Sequence, residues 1–193
     1  MTPLLEDEAT LWSASLDHDD RAFGALFDLH RDRVFRHVLR LVEHRGEAED
    51  VTAAAFFDLW RRRADVRVVE GSVLPWLLVT ATNHARNVRR GTRRYRAMLS
   101  GFPRQEHAAD PAAIAGDRVD RAADAARLHR AIAALSEIDA ALLVLTVVEG
   151  WTSARAADAV GVTHAAARAR LTRARRKVRA LLGDEPRLSE GDR

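Results

Sequence analysis

Apolar residues recur at spacings of three and four along almost the whole chain, and this pattern limits the fold more than any other feature of the sequence. Such spacing places apolar side chains on one face of an α-helix, whereas a half-buried strand needs alternation at every second residue, which is not evident here. The clearest stripe is formed by Phe23, Phe27, His30, Val34, Val38 and Leu41. The sequence therefore predicts an all-α fold.

Breaks in the helical pattern divide the chain into two small helical domains joined by a linker. Gly46 is expected to separate the first two helices, and Pro75 suits the first position of the third. Helices are predicted over 20–42, 47–63 and 76–96, and then over 119–135, 137–149, 153–160 and 164–182. The predicted organisation is an acidic segment 1–19, a helical domain 20–99, a linker 100–117, a helix-turn-helix domain 118–182 and a polar tail 183–193. The acidic segment is expected to be either a disordered tail or a short capping helix.

The positive charge of the chain is clustered. The formal net charge is only +3, but the sequence pI is near 10.3. Two acid-free stretches carry the excess: Arg86, Arg89, Arg90, Arg93, Arg94 and Arg96 in the first half, and Arg168, Arg170, Arg173, Arg175, Arg176, Lys177 and Arg179 in the second. One basic stretch in each half suggests two contacts with one long polyanion, the alternative being two solvated helix faces.

Several classes of protein are excluded by what the sequence lacks. It has no cysteine, which fits a reducing compartment. Its first 20 residues contain six acids and no Lys or Arg, unlike a signal peptide, and no apolar run is long enough to span a membrane. There is no glycine-rich phosphate loop, HExxH pair or nucleophile elbow, and His30 and His37 share a helix face without a third ligand nearby. We therefore expect a cytoplasmic protein without catalytic residues, metal, cofactor or membrane insertion.

Residues 152–164 have the pattern of a helix-turn-helix motif. Ala157 is small enough for two helices to approach closely, and it precedes Gly161 by four residues. Gly161 can adopt the positive φ that the turn needs, and Thr163 can cap the following helix. The spacing predicts a short helix, a tight turn and a recognition helix.

The predicted recognition helix has two chemically different faces. Its packing face is formed by Ala167, Leu171, Ala174, Val178 and Leu181. The opposite face carries Ala165, Arg168, Ala169, Thr172, Arg173 and Arg176. Small residues permit close approach to DNA, and arginines reach phosphate or guanine edges. An amphipathic helix made soluble by arginine is the alternative.

The helix after Pro75 also has two different faces. Leu77, Leu78, Ala81, His84, Ala85 and Val88 share one side; Trp76, Thr80, Asn83, Asn87 and Arg90 share the other, with Arg86 at its edge. Asn can hydrogen-bond to base edges, Trp can stack and Arg can hold phosphate, so this face suits strands with exposed bases. The alternative for Trp76 is a core aromatic residue.

Motifs in both halves resemble one family. Residues 48–60 (AEDVTAAAFFDLW), 76–77 (WL) and 81–87 (ATNHARN) resemble region two of the extracytoplasmic-function (ECF) sigma factors. Residues 128–136 (LHRAIAALS), 149–152 (EGWT) and 162–175 (VTHAAARARLTRAR) resemble region four, in the same order. The sequence is thus similar to the ECF subfamily of the sigma-70 family over about 20–182.

The resemblance implies partners and site residues. The first domain would dock on the β′ clamp helices of core RNA polymerase through Asp50, Phe56, Leu59 and Trp60. The protein would also contact the β flap of the polymerase. The 61–72 loop and the face of Trp76, Thr80, Asn83, Arg86, Asn87 and Arg90 would hold the melted minus-ten strand. His164, Ala165, Arg168, Ala169 and Thr172 would lie over the minus-thirty-five major groove of promoter DNA, with Arg173 and Arg176 near phosphate. The free protein would be a monomer, and an anti-sigma factor would occlude both domains.

Some positions depart from the family pattern, and other functions stay open. Ala53 and Ala54 replace the usual Gln-Glu, Arg155 and Ala156 the usual Glu-Ile, residues 165–167 the usual Gly-Thr-Val, and Ser136 the usual proline. The changes at residues 155–156 and 165–167 predict a second domain that is less stable or reads DNA less sharply. The alternatives are a helix-turn-helix repressor that dimerises on duplex DNA without polymerase, and an RNA-binding protein that uses both basic helices for phosphate contact alone.

Overall fold

The computed structural model describes residues 7–99, 127–128 and 130–183, and the regular structure within these ranges is helical. The helices are α1 (Glu8–Leu16), α2 (Asp20–Leu39), α3 (Arg45–Arg61), α4 (Leu74–Leu99), α5 (Glu137–Val147), α6 (Ser153–Val160) and α7 (His164–Leu182). A 3₁₀ turn, Arg63–Asp65, follows α3, and residues 130–133 are also helical. The predicted all-α class is confirmed.

The structure differs from the predicted organisation at Gly46 and decides between the two alternatives for the acidic segment. Gly46 is not a break but lies in the first turn of α3, where a residue without a side chain is tolerated. The acidic N-terminal segment contains a helix, α1, which buries Leu11 and Trp12 against the first domain. The predicted linker, most of the predicted helix over 119–135 and the tail from 184 onward lie outside the described residues.

The first domain is formed by α1 to α4 around one apolar core. Leu26, Val34 and Val38 of α2 meet Leu59 of α3 and Leu77 of α4, and all five side chains are fully buried. Burying one such side chain stabilises the fold by about 1.5–3 kcal/mol. α2 begins where it does because the Asp19 carboxylate accepts hydrogen bonds from the amides of Arg21 and Ala22 at 2.8 and 3.2 Å.

The second domain follows the predicted helix-turn-helix geometry. Ala157 is fully buried between the helices, and Gly161 has a φ of 74°. The hydroxyls of Ser136, Thr152 and Thr163 each cap a helix by accepting a backbone N–H at 3.2 Å. On α7, Ala167, Leu171, Ala174 and Val178 are buried as predicted, but Leu181 is 52% exposed, because nothing in the described second domain covers the last turn on that side.

Candidate nucleic-acid interface

The α4 face predicted to hold single-stranded DNA is accessible only in part. Asn87 and Arg90 are exposed, whereas Trp76, Thr80 and Asn83 are half-buried. Trp76 packs against the hydrophobic core, so its flat surface is partly covered. The polar face therefore exists, with its most accessible part near Asn87 and Arg90.

Arg86 does not lie on that open face. Its side chain is buried, and its Nη2 donates a hydrogen bond to the carbonyl of Leu135 in the second domain. Burial lowers the pKa of Arg86, the neighbouring Arg90 charge lowers it further, and Glu137 opposes the shift. The predicted DNA contact of Arg86 is therefore not available in this arrangement, because the second domain covers its guanidinium.

A tight hairpin turn precedes α4, where the sequence predicted only a loop. Val69 and Ser72 exchange two backbone hydrogen bonds of 3.1 Å each. Between them Glu70 and Gly71 have φ values of 53° and 75°, the pair of positive angles that a two-residue type I′ turn requires. Glycine in the second central position was the available sequence signal. We refer to residues 69–72 as the α4 hairpin.

The surface of α3 differs from the predicted polymerase contact. Asp50 is exposed and Trp60 is half-buried, but Phe56 and Leu59 are core residues with 3% and 0% exposure. In the folded chain these two side chains fill the space between α3 and its neighbours, so the exposed part of the predicted contact is limited to Asp50 and Trp60. The exposed aromatic of this helix is Phe57, at 64%, which sequence reasoning missed because it lies off the apolar stripe.

Phe57 borders an open groove between α2 and α3. The groove is lined by Asp20, Phe23, Phe27, Ala53, Phe56, Phe57 and Trp60. Its aromatic wall is held by edge-to-face contacts, with ring centroids 4.9 Å apart for Phe23 and Trp60 and 4.7 Å apart for Phe27 and Phe56. The first domain thus presents an apolar surface with an acidic residue, Asp50, further along the same helix.

The side of α7 that the sequence predicted to face DNA is open along its length. All seven predicted residues are exposed: His164, Ala165, Arg168, Ala169, Thr172, Arg173 and Arg176. Arg170, at the side of this face, is instead held 3.0 Å from Asp139 of α5. Burial would raise the pKa of Asp139, but hydrogen bonds from Ser136 and Arg170 and the arginine charges lower it. The fixed pair orients α7 on α5 and leaves the other arginines toward solvent.

One buried carboxylate joins the two domains. The side chain of Glu149, which follows α5, is fully buried and accepts from His37 Nδ1 at 2.9 Å and from Arg33 Nη2 at 2.5 Å. Arg40 Nη2 contacts the same carboxylate, and His37 Nε2 lies 2.9 Å from Thr82 Oγ1 of α4. Burial would raise the pKa of Glu149, but the His37 hydrogen bond and the three basic groups lower it. We call Arg33, His37, Arg40 and Glu149 the Glu149 cluster.

A further contact between the domains involves the α4 hairpin. Glu70 at its apex lies 3.1 Å from Arg155 Nε in α6, and Arg155 also stacks over the Trp151 ring at 4.3 Å. An acidic side chain at position 155 would instead repel Glu70. Arg155 therefore supplies a partner of opposite charge for the hairpin.

Two further properties concern the described ranges alone. None of the helices there is both long and apolar enough to cross a membrane. The same residues include no group of three or more His, Asp or Glu side chains placed to hold a metal ion.

Comparisons with known proteins agree with the two-domain geometry. Residues 26–95 match the model for Sigma-70 region 2, and residues 125–178 match the model for Sigma-70, region 4. RNA polymerase sigma factor CarQ of Myxococcus xanthus is 34% identical over 166 residues, which cover 84% of this chain and 90% of CarQ. ECF RNA polymerase sigma factor SigK of Mycolicibacterium vanbaalenii is 28% identical over 173 residues, which cover 86% of this chain and 84% of SigK. The chain belongs to the ECF subfamily of sigma-70 factors.

The fold of this sigma factor is also similar to a solved structure of CnrH in complex with the cytosolic domain of CnrY. The TM-score is 0.54 at 21% identity, with 93% of this chain and 99% of the matched chain covered. The two family matches include most of α2, all of α3, most of α4 and most of the second domain, while α1 lies ahead of both. Sigma-70 proteins are transcription initiation factors rather than enzymes.

Proposed function

We propose that this sigma factor binds core RNA polymerase through the first domain and directs initiation by recognising and opening promoter DNA. The observation that carries the proposal is that one chain holds two different polar faces. The exposed Arg and Ala face of α7 suits duplex DNA, and the Asn and Arg face of α4 suits unpaired bases.

The exposed face of α7 supports recognition of the minus-thirty-five element. Ala165 and Ala169 leave room for the helix to enter the major groove, and Arg168 between them can donate two hydrogen bonds to one guanine. Arg173 and Arg176 lie further along the exposed side, where they would contact phosphate. Removal of Arg168 would then change preference, whereas removal of Arg176 would change affinity.

The face of α4 and its hairpin support capture of the melted minus-ten strand. Asn87 offers both a donor and an acceptor to a base edge, and Arg90 lies beside it, where it can contact the phosphate backbone of the strand. The half-buried Asn83 and Trp76 continue the same face toward the hairpin. Core polymerase would be held at α3, where Asp50 and Phe57 are the exposed polar and aromatic groups.

The proposed function requires the two domains to separate on the promoter. From position −35 to position −10 is about 25 base pairs, or about 85 Å at roughly 3.4 Å per base pair. The longest helix among the described residues, α4, has 26 residues and measures only about 39 Å, and the second domain is packed directly on it. Separation would free Arg86 from the Leu135 carbonyl, so that Arg86 could contact DNA together with the polar face of α4.

The proposal extends to partners and location. We expect the sigma factor to work in the cytoplasm beside core polymerase, to be a monomer when free, and to contact the β′ clamp helices and β flap when bound. An anti-sigma factor that holds both domains would act on the packed arrangement. Any such partner would be identified experimentally by its competition with core polymerase for the sigma factor.

Reconstitution with core polymerase tests the proposal. A pool of randomised promoters is transcribed with core enzyme and the full chain, and specific transcripts are expected only when both are present. Asn87→Ala should abolish them without unfolding the protein, because the side chain is exposed. Phe57→Ala is a better probe of polymerase binding than Trp60→Ala, since Trp60 packs on Phe23. A chain that binds duplex DNA as a dimer and never binds core polymerase would instead be a repressor.

A further inference from the structure

Helix α1 lies outside both family matches, yet one of its side chains contacts the α4 hairpin. Oε1 of Glu8 accepts a hydrogen bond from Ser72 Oγ at 2.9 Å and another from the Val73 amide at 2.8 Å. His30 Nε2 of α2 lies 2.9 Å from the same oxygen. The side chains of Glu8 and His30 are only 17% and 8% exposed. One carboxylate thus joins α1, α2 and the start of α4.

The contact is placed where it fixes the hairpin. Ser72 closes the hairpin through its two backbone bonds to Val69, and its hydroxyl also accepts from the Leu74 amide at 3.1 Å. Val73 is fully buried, and its amide would otherwise be one of the unpaired donors that precede a helix. The negative charge of Glu8 also lies at the positive end of α4.

The hairpin needs such support because it is very short. Two residues of turn and a single bridged pair are marginally stable in water by themselves. α1 is an independent anchor, since Leu11 and Trp12 are buried in the core. A carboxylate held on that anchor keeps the hairpin in one conformation before any DNA binds.

We propose that Glu8 is a positioning residue that preorders the α4 hairpin for capture of the melted minus-ten strand. The inference rests on the proposed function and extends it to a segment outside both family matches. Preordering matters because a loop that is already fixed loses less conformational freedom on binding. Glu8 acts through Ser72 and Val73 and does not itself touch DNA.

The test separates polymerase binding from strand capture. Wild type, Glu8→Ala and Glu8→Gln are each assembled with core polymerase on two pre-melted templates, one with a selected minus-ten strand and one with that strand scrambled. Glu8→Ala should reduce the preference for the selected strand about tenfold, the size expected for the net loss of about one hydrogen bond, with core affinity unchanged. Glu8→Gln keeps an acceptor oxygen for Ser72 and Val73 and should recover most of the preference.

Controls distinguish positioning from general stability. Asp7→Asn removes the neighbouring exposed charge and should behave as wild type. Hydrogen exchange of the Val73 amide in the free full-length chain should quicken about tenfold in Glu8→Ala and much less in Glu8→Gln. The inference would be overturned if the Val73 amide of Glu8→Ala exchanged at the wild-type rate, or if Glu8→Ala weakened binding equally on both templates. Wild-type transcription would in either case still support the proposed function. A wild-type chain that binds no core polymerase would overturn both.

Discussion

Replacing Glu149 by Gln should loosen the packing of the two domains. The substitution keeps the size of the side chain and one acceptor oxygen but removes the negative charge from a fully buried position. Arg33 and Arg40 then lose the carboxylate that they share, while His37 can still donate its Nδ1 proton to the amide oxygen. The cores of the individual domains are not altered, so each should remain folded.

The solvent exposure of Arg33 and Arg40 sets the expected loss of docking free energy. Removing one member of a fully buried ion pair typically costs about 3–5 kcal/mol. Here the side chains of Arg33 and Arg40 are 44% and 48% exposed, so water screens them and can replace part of what they lose. We expect a loss of about 2 kcal/mol in the free energy of docking, which is about a 30-fold shift in the docking equilibrium.

Distance measurements between the domains test this prediction. The chain has no cysteine, so cysteines introduced at Asp28 and Arg175, both exposed, accept a fluorophore pair without competing sites. Single-molecule energy transfer should show one compact population for the otherwise unmodified chain and a much larger separated population for Glu149→Gln. Thermal unfolding of Glu149→Gln should show that both domains are still folded.

Glu49→Gln is the matched control. It makes the same chemical change in an exposed pair, where Glu49 lies 3.0 Å from Arg45 and is 58% exposed. Such a pair contributes at most about 1 kcal/mol, and it lies away from the second domain. If Glu149→Gln gives the same distance distribution as Glu49→Gln, the Glu149 cluster does not hold the domains together.

Two other predictions concern pH and the recognition helix. Because the folded pKa of Glu149 lies below its ordinary value of 4.5, its contribution is present above that pH and is lost as the pH falls through the lowered pKa. The separated population should therefore grow below about pH 4.5, and Glu149→Gln should show a weaker change; a parallel response of both proteins would assign the effect to other groups. Arg168→Ala should cost about 1–3 kcal/mol in binding and relax preference at one position of the minus-thirty-five element, as read by selection from randomised promoters. Equal weakening on every sequence would make Arg168 a phosphate contact.

Local rules were enough to predict α2 to α7 and the helix-turn-helix motif. Ala157, Gly161 and Thr163 act through helix contact, turn conformation and capping, which depend on residues only a few positions apart. The packing face of α7 was predicted for the same reason, except at Leu181. Helical periodicity tells which side chains share a face, and this information is present in the sequence.

Periodicity does not tell what covers a face. Phe56 looked available as part of a polymerase contact, but it fills the first core, whereas its neighbour Phe57 is exposed. Arg86 was placed at the edge of a DNA-binding face, and the second domain covers it. Both outcomes depend on neighbours that are distant in sequence.

The basic character of the chain and its two polar helix faces followed from the sequence by itself. The Glu149 cluster joins residues separated by 109 to 116 positions, and the Glu8 contact joins residues separated by 64 and 65. Such pairs form only when the packing of whole helices brings the groups together, and no spacing rule reaches across those separations. The tertiary structure therefore decided which charged side chains support the fold and which stay exposed.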